Sequence, residues 1–197
     1  MGLVVLFFVV IYLALLVAAT AWGYRFGKKR GWPSRKCWSA AAVGFLVIFL
    51  PVFWDWLPTV WLHSYYCGKF GGVTVNKTLE QWKQENPGVA ETLVRPKTVQ
   101  QVNTVNGRDF QLNQRVRWEI QWEEKPLWLR QHSERLADIK NGEVIAQYID
   151  FSTGQSRRFT NNLRDFKVWM YRDSCEPEGK STNRERFSEI KAAFDPR

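Results

Sequence analysis

Apolar residues fall along this chain in two regimes. Leu3 to Ala21 is a 19-residue run without a charge, and Cys37 to Trp54 is another of 18. Beyond about residue 66 the apolar positions thin out and alternate with polar ones. A hydrocarbon core about 30 Å thick takes roughly 20 helical residues at about 1.5 Å each. The two runs therefore predict membrane-spanning helices over about 3–22 and 37–56. Ala19-Thr20-Ala21 resembles a signal-peptide cleavage site. However, no basic residue precedes the first run, and it exceeds the usual apolar core of a signal peptide, so an uncleaved helix is expected.

Between the runs lies a basic loop, 25–36, with Arg25, Lys28, Lys29, Arg30, Arg35 and Lys36 and no acid. Cations beside a span resist translocation, which puts this loop in the cytoplasm and both the N-terminus and the remainder of the chain across the membrane. The same cations suit anionic headgroups, so membrane lipids are an expected partner. Trp54, Trp56 and Trp61 are expected to anchor the far interface, where an apolar ring with a polar N–H is satisfied. Pro51 and Pro58 predict a bend or an end in the second helix. Asp55, just past the run, is expected at the wetted interface. Ala14 and Ala18 on one helix, and Ala40 and Gly44 on the other, are spaced by four and predict a close helix–helix contact.

In 67–197 the period changes. Thr78-Leu79-Glu80-Gln81 is a capping-box pattern opening a short helix that buries Leu79 and Trp82. Val116, Trp118, Ile120 and Trp122 alternate with polar residues, the mark of a strand with one apolar face. Further extended segments are predicted over 98–105, from near Phe110, over 127–139 and over 144–151. Asn106-Gly107 and Asn141-Gly142 supply hairpin turns between them. Phe166, Val168 and Met170 alternate and are expected to close the sheet. Phe187, Ile190 and Phe194 recur at helical spacing and predict an amphipathic helix over about 183–194. The expected fold is α+β: a two-helix transmembrane hairpin, 1–66, followed by an antiparallel-sheet domain, 67–197, with one or two short helices.

Composition adds little beyond this. The chain of 197 residues has net charge +9, but six of its 28 basic residues and one of its 19 acids precede residue 67, leaving the second part near +4. Nucleic-acid binding is therefore not expected. Two His and three Cys exclude a multi-ligand zinc framework. Cys67 and Cys175 share the extracytoplasmic side on this topology and Cys37 does not, which predicts a Cys67–Cys175 disulfide. His132 lies in a polar extended stretch and is read as an exposed strand residue. With no phosphate loop, metal spacing or nucleophile–base pattern, neither a catalytic site nor a cofactor is expected.

An open aromatic surface is expected instead. Trp169 should face away from Val168 and Met170 and join Tyr148 and Tyr171, with Arg157 and Arg158 as a charged rim. These observations together predict a non-enzymatic protein-binding module held at the periplasmic face of a bacterial inner membrane. An immunity-type protein or an accessory subunit of an envelope complex would have this layout. The alternative is a structural or transport subunit in which the hairpin, with Asp55, is the working part.

Overall fold

The structure is a computed structural model that describes residues 2–94, 96, 101–154, 167–176 and 182–195. It divides into two compact units, Met1–Pro58 and Thr59–Arg197. The boundary lies eight residues before that expected from the sequence, inside a helix.

The first unit is built on α1 (Gly2–Lys29) and α2 (Ser34–Phe53). Both are long and apolar enough to cross a membrane, by length and composition. α1 runs well past the apolar stretch, so Arg25, Lys28 and Lys29 decorate its last two turns rather than a loop. The turn itself is only Arg30 to Pro33. Gly31 takes a φ of 70°, its N–H bonds the Lys28 carbonyl at 3.1 Å, and the Trp32 N–H bonds the Gly27 carbonyl at 3.1 Å. This paired bonding satisfies the last carbonyls of α1, and a left-handed residue there favours glycine. Pro33 follows and starts α2.

The two helices meet through small residues. A side chain on Gly44 would overlap the Ala19 carbonyl, and one on Gly23 would overlap the Ala40 carbonyl. Ala40 and Gly44 lie at this contact as expected from their spacing, but Ala14 and Ala18 are exposed. On α1 the contact is made by Ala19 and Gly23 instead. The four-residue spacing is the same, one helical position round. Tyr12 donates to the Ile48 carbonyl farther along the pair.

α2 stops at Phe53, and after Trp54 and Asp55 a third helix, α3 (Trp56–Phe70), begins. Pro58 falls in its first turn, where backbone N–H groups have no helical partner to lose. Asp55 is 1% exposed, so it is buried rather than wetted.

The second unit holds one six-stranded antiparallel sheet. Its strands are β1 (Gly72–Val75), β2 (Gln101–Thr104), β3 (Gly107–Gln111), β4 (Val116–Glu124), β5 (Leu129–Asp138) and β6 (Val144–Thr153). Their order is β1-β6-β5-β4-β3-β2. The meander from β2 to β6 follows the predicted alternation. The far edge differs: β1 pairs with β6, with Gly72 opposite Ile149. Residues Val168–Met170, expected as the closing strand, form a 3-10 turn, and Arg172 makes a single bridge to Thr153. Phe166 lies outside the described residues.

One face of the sheet carries the main core. α4 (Leu79–Glu85) opens with both capping-box bonds, Gln81 N–H to Thr78 Oγ1 at 3.3 Å and Thr78 N–H to Gln81 Oε1 at 2.9 Å. It buries Trp82, whose indole donates to Asp138 Oδ2 at 2.9 Å. α5 (Thr182–Ala193) adds Phe187, with Phe194 just beyond it. Together these cover Val116, Leu136, Ala146 and Tyr148.

Candidate functional site

The aromatic surface expected from the sequence is not assembled. Tyr148 is 4% exposed and packs beneath Phe187 of α5. The physical reason is that α5 docks on the face that carries Tyr148, so that ring is core. Trp169 and Tyr171 are each half-buried in the segment after the last strand. Arg157 and Arg158 lie outside the described residues.

The sheet face under α5 holds a polar cluster instead. His132 on β5 stands between Trp122 on β4 and Asp150 on β6. Its ring stacks on Trp122, centroids 5.8 Å apart and planes 20° apart, and meets Tyr148 edge-on at 6.3 Å. Glu134, two residues along the same face, accepts the Trp118 indole N–H at 2.9 Å and lies 3.7 Å from His132 Nε2. Burial pushes His132 down, the carboxylates of Glu134 and Asp150 pull it up, and Arg184 pushes it down again. The net is a depressed value, so at neutral pH the imidazole is uncharged and its contact with Glu134 is not an ion pair. Burial likewise raises Tyr148, with Asp150 as the next cause by charge and hydrogen bond. Ser133 alternates to the opposite face, so the strand brings no adjacent nucleophile to His132. The expectation that His132 is exposed is corrected: ring stacking between neighbouring strands half-buries it.

A second cluster gathers on α3. His63 and Cys67 sit one turn apart, so their side chains share a face. Cys67 Sγ lies 2.06 Å from Cys175 Sγ, a disulfide, with Cα atoms 5.2 Å apart. His63 is 8% exposed, with Nε2 3.0 Å from the Phe151 carbonyl. Since a carbonyl only accepts, Nε2 carries a hydrogen in this contact. The ring nitrogens lie 3.5 Å (Nε2) and 3.9 Å (Nδ1) from Cys67 Sγ. Tyr66 packs on Phe151 at 5.3 Å, fixing the helix against β6. The Cys175 N–H is held by Asp150 Oδ1 at 2.8 Å. Gly71 closes the arrangement: a Cβ there would stand 3.0 Å from Cys175 Sγ and 2.7 Å from the Cys67 carbonyl.

Ligand atoms of His63, Cys67 and Cys175 all lie within 4.8 Å of one another. Metal binding needs thiolates, and a closed disulfide offers none. In this state the cluster is a covalent link with a histidine beside it. Sequence reading grouped His63 with the anchor and so missed its place at the disulfide. The signal available was the i, i+4 spacing of His63 and Cys67.

The residues expected as interfacial anchors are all exposed: the six cations from Arg25 to Lys36, and Trp54, Trp56 and Trp61. Comparison with known proteins finds no matching family model, no matching curated protein and no matching solved structure.

Proposed function

We propose that this chain is a membrane-anchored, non-enzymatic binding module. Its sheet domain works on the extracytoplasmic side, in a bacterium the periplasmic face of the inner membrane, and captures a protein partner. The observation that carries this reading is the Cys67–Cys175 disulfide. Such bonds persist on the oxidising side of a membrane. The exposed cations support the same orientation. Arg35 and Lys36 occupy the first turn of α2, where a helix prefers acids, so their presence answers to something other than helix stability. Retention on the cytoplasmic side supplies that reason.

For capture, the sheet offers its outer strand. β2 pairs with β3 alone among the described strands, and all four of its residues are exposed. The adjoining turn presents Val105 fully exposed, and Val102 is 60% exposed. An edge strand with free N–H and C=O groups accepts an extended segment of a partner. Periplasmic-reporter fusions after residue 195 test the orientation; activity is expected there, and a cytosolic readout overturns the reading. Photocrosslinkers at Val102 and Val105 in native membranes should then capture a protein, and those at exposed Glu124 should not.

One observation favours a second reading, in which the hairpin is the working part of a structural or transport subunit. Asp55, between two apolar helices, is buried at 1% exposure. Loss of function in Asp55→Asn, with the sheet domain dispensable, would select it.

A further inference from the structure

We propose that the outward face of α3 is a membrane-docking surface, on which Trp61, Tyr65 and Lys69 seat at the headgroup level of the bilayer and hold the sheet domain against it. The inference rests on the membrane-anchored reading of the hairpin, and not on what the domain captures. It is carried by an inversion of the usual helix pattern. From Thr59 onward, one stripe of α3 buries polar residues and another exposes aromatic ones.

Thr59 and His63, four apart, are 0% and 8% exposed, whereas Trp61 and Tyr65, also four apart, are 68% and 45% exposed. Residues four apart share a helix face, so these are two separate stripes. The inner stripe is tied to the sheet domain. His63 Nε2 donates to the Phe151 carbonyl at 3.0 Å, Tyr66 packs on the Phe151 ring, and Cys67 is bonded to Cys175. The outer stripe is ordered as well. The Trp61 and Tyr65 rings stack with centroids 5.8 Å apart, and the Lys69 ammonium donates to the Tyr65 hydroxyl at 3.1 Å while standing 5.2 Å from the Phe70 ring centre. Large rings turned outward over buried polar groups are out of place in water. At headgroup depth they are not: each ring lies in the apolar boundary with its polar tip wetted, and a lysine stem reaches past them to the phosphates.

Chain length and charge favour a lipid surface over a second protein as the occupant. α2 closes at Phe53, and only Trp54 and Asp55 separate it from α3. Trp61 lies eight residues beyond Phe53, six of them helical. At about 1.5 Å per helical residue and about 3.5 Å per extended one, that keeps Trp61 within roughly 16 Å of the end of the span. The headgroup layer begins at that end. The 15 residues of α3 include no acid, and Lys69 lies on the outer stripe, so this face has the sign that anionic headgroups attract. Because the inner stripe is tied to β6, seating the outer one also fixes which side of the sheet domain faces the bilayer.

The test places a diazirine side chain, one site at a time, at Ser64, Val47 or Glu124 of the full-length protein in nanodiscs of phosphatidylethanolamine and phosphatidylglycerol. Ser64 is exposed, three residues from Trp61 and next to Tyr65, so a label there leaves both rings in place. On illumination the carbene adds to what it touches, and the mass of the chain reads the adduct. Lipid adducts are expected at Ser64 and at Val47 of α2, and a water adduct at exposed Glu124. In the double variant Trp61→Ser, Tyr65→Ser, the lipid adduct at Ser64 should fall to the Glu124 level while that at Val47 persists. Water or a second copy of the chain on Ser64, with lipid still on Val47, overturns the docking alone. Lipid on Glu124 as abundant as on Ser64 overturns it too, as does an unchanged lipid adduct at Ser64 in the double variant. Water on Val47 overturns the anchored reading and this inference with it. If the double variant fails to form the Cys67–Cys175 bond, the adducts of the native-ring chain decide alone.

Discussion

Phe187 of α5 lies over Tyr148 of β6, with ring centroids 6.0 Å apart and planes inclined at 31°. Phe187 is 2% exposed and shares one core with Trp82, Leu136 and Ile145. Truncating a buried phenylalanine removes its transfer energy and leaves a cavity, at a cost of about 3–5 kcal/mol. Phe187→Ala is expected to destabilise the domain on that scale. Denaturant unfolding followed by tryptophan fluorescence measures it, and a loss under about 1 kcal/mol would show that α5 is not part of the core.

Gly44 and Ala14 make a paired test of the hairpin. Gly44 borders the Ala19 carbonyl, whereas Ala14 is exposed. Overpacking a close contact costs about 1–3 kcal/mol. Gly44→Ile should lower the detergent melting temperature of the hairpin, and Ala14→Ile should leave it unchanged. Equal effects of the two would sink the observed helix register.

Asp138 is the buried carboxylate on which Trp82 and Arg115 converge, the guanidinium at 2.8 Å from Oδ2. Burial alone would raise this carboxyl, but hydrogen bonds from Arg115, the Lys140 N–H and Trp82 outweigh it and hold it below its ordinary value. A depressed carboxyl contributes stability that is complete above its unfolded value, about 3.9, and is lost as pH falls through the folded value. Acid unfolding should therefore steepen below about pH 4, and Asp138→Asn should flatten that limb. Removing one partner of a buried pair costs about 3–5 kcal/mol, so Asp138→Ala should lose that much at pH 7.

His132 acts in a higher window. Its folded value is depressed, chiefly by burial, so the unfolded chain takes up a proton first. Stability is complete above the unfolded value, about 6.5, and falls as pH drops from there toward the folded value. Melting curves from pH 8 to 5 should show this decline, and His132→Phe, which keeps a ring on Trp122, should remove it. A decline that persists in His132→Phe would assign it to another group.

The β4–β5 turn carries the one backbone cost visible among the described non-glycine residues. Leu127 and Trp128 have φ of 55° and 65°. Left-handed backbone at bulky residues costs about 1–3 kcal/mol each, and Asn-Gly adopts it freely. Replacing Leu127-Trp128 with Asn-Gly should raise stability by about 1–2 kcal/mol in chemical unfolding. A loss instead would mean that the Trp128 side chain, though exposed, contributes more by its contacts than its backbone costs.

Much of the fold was written in local patterns. The capping box before Trp82 and the alternation from Val116 to Trp122 are short-range signals, and each states its own element. β1 had no such signal, because four residues beginning at a glycine carry too little alternation to separate from a loop. Val168 to Met170 misled for the converse reason: two apolar residues spaced by two fit a 3-10 turn as well as a strand. Tyr148 was assigned to the wrong environment because burial of a strand face depends on which face a distant helix covers. The Cys67–Cys175 pairing followed from compartment rather than pattern, and it named the covalent link without its histidine. Which face of α1 meets α2 is set by three-dimensional packing, and spacing alone could not choose between Ala18 and Ala19.

The pairing of β1 with β6 also fixes an order of assembly. Gly72 finds its partner only at Ile149, so the strand that leaves the helices first is matched by the strand of the meander made last. Closing so long a loop is entropically unfavourable and slow. A growing chain can complete the β2–β5 meander while β1 still waits. Nascent chains that end before residue 144 offer β1 nothing to join, and those that end before Cys175 leave Cys67 without its disulfide partner.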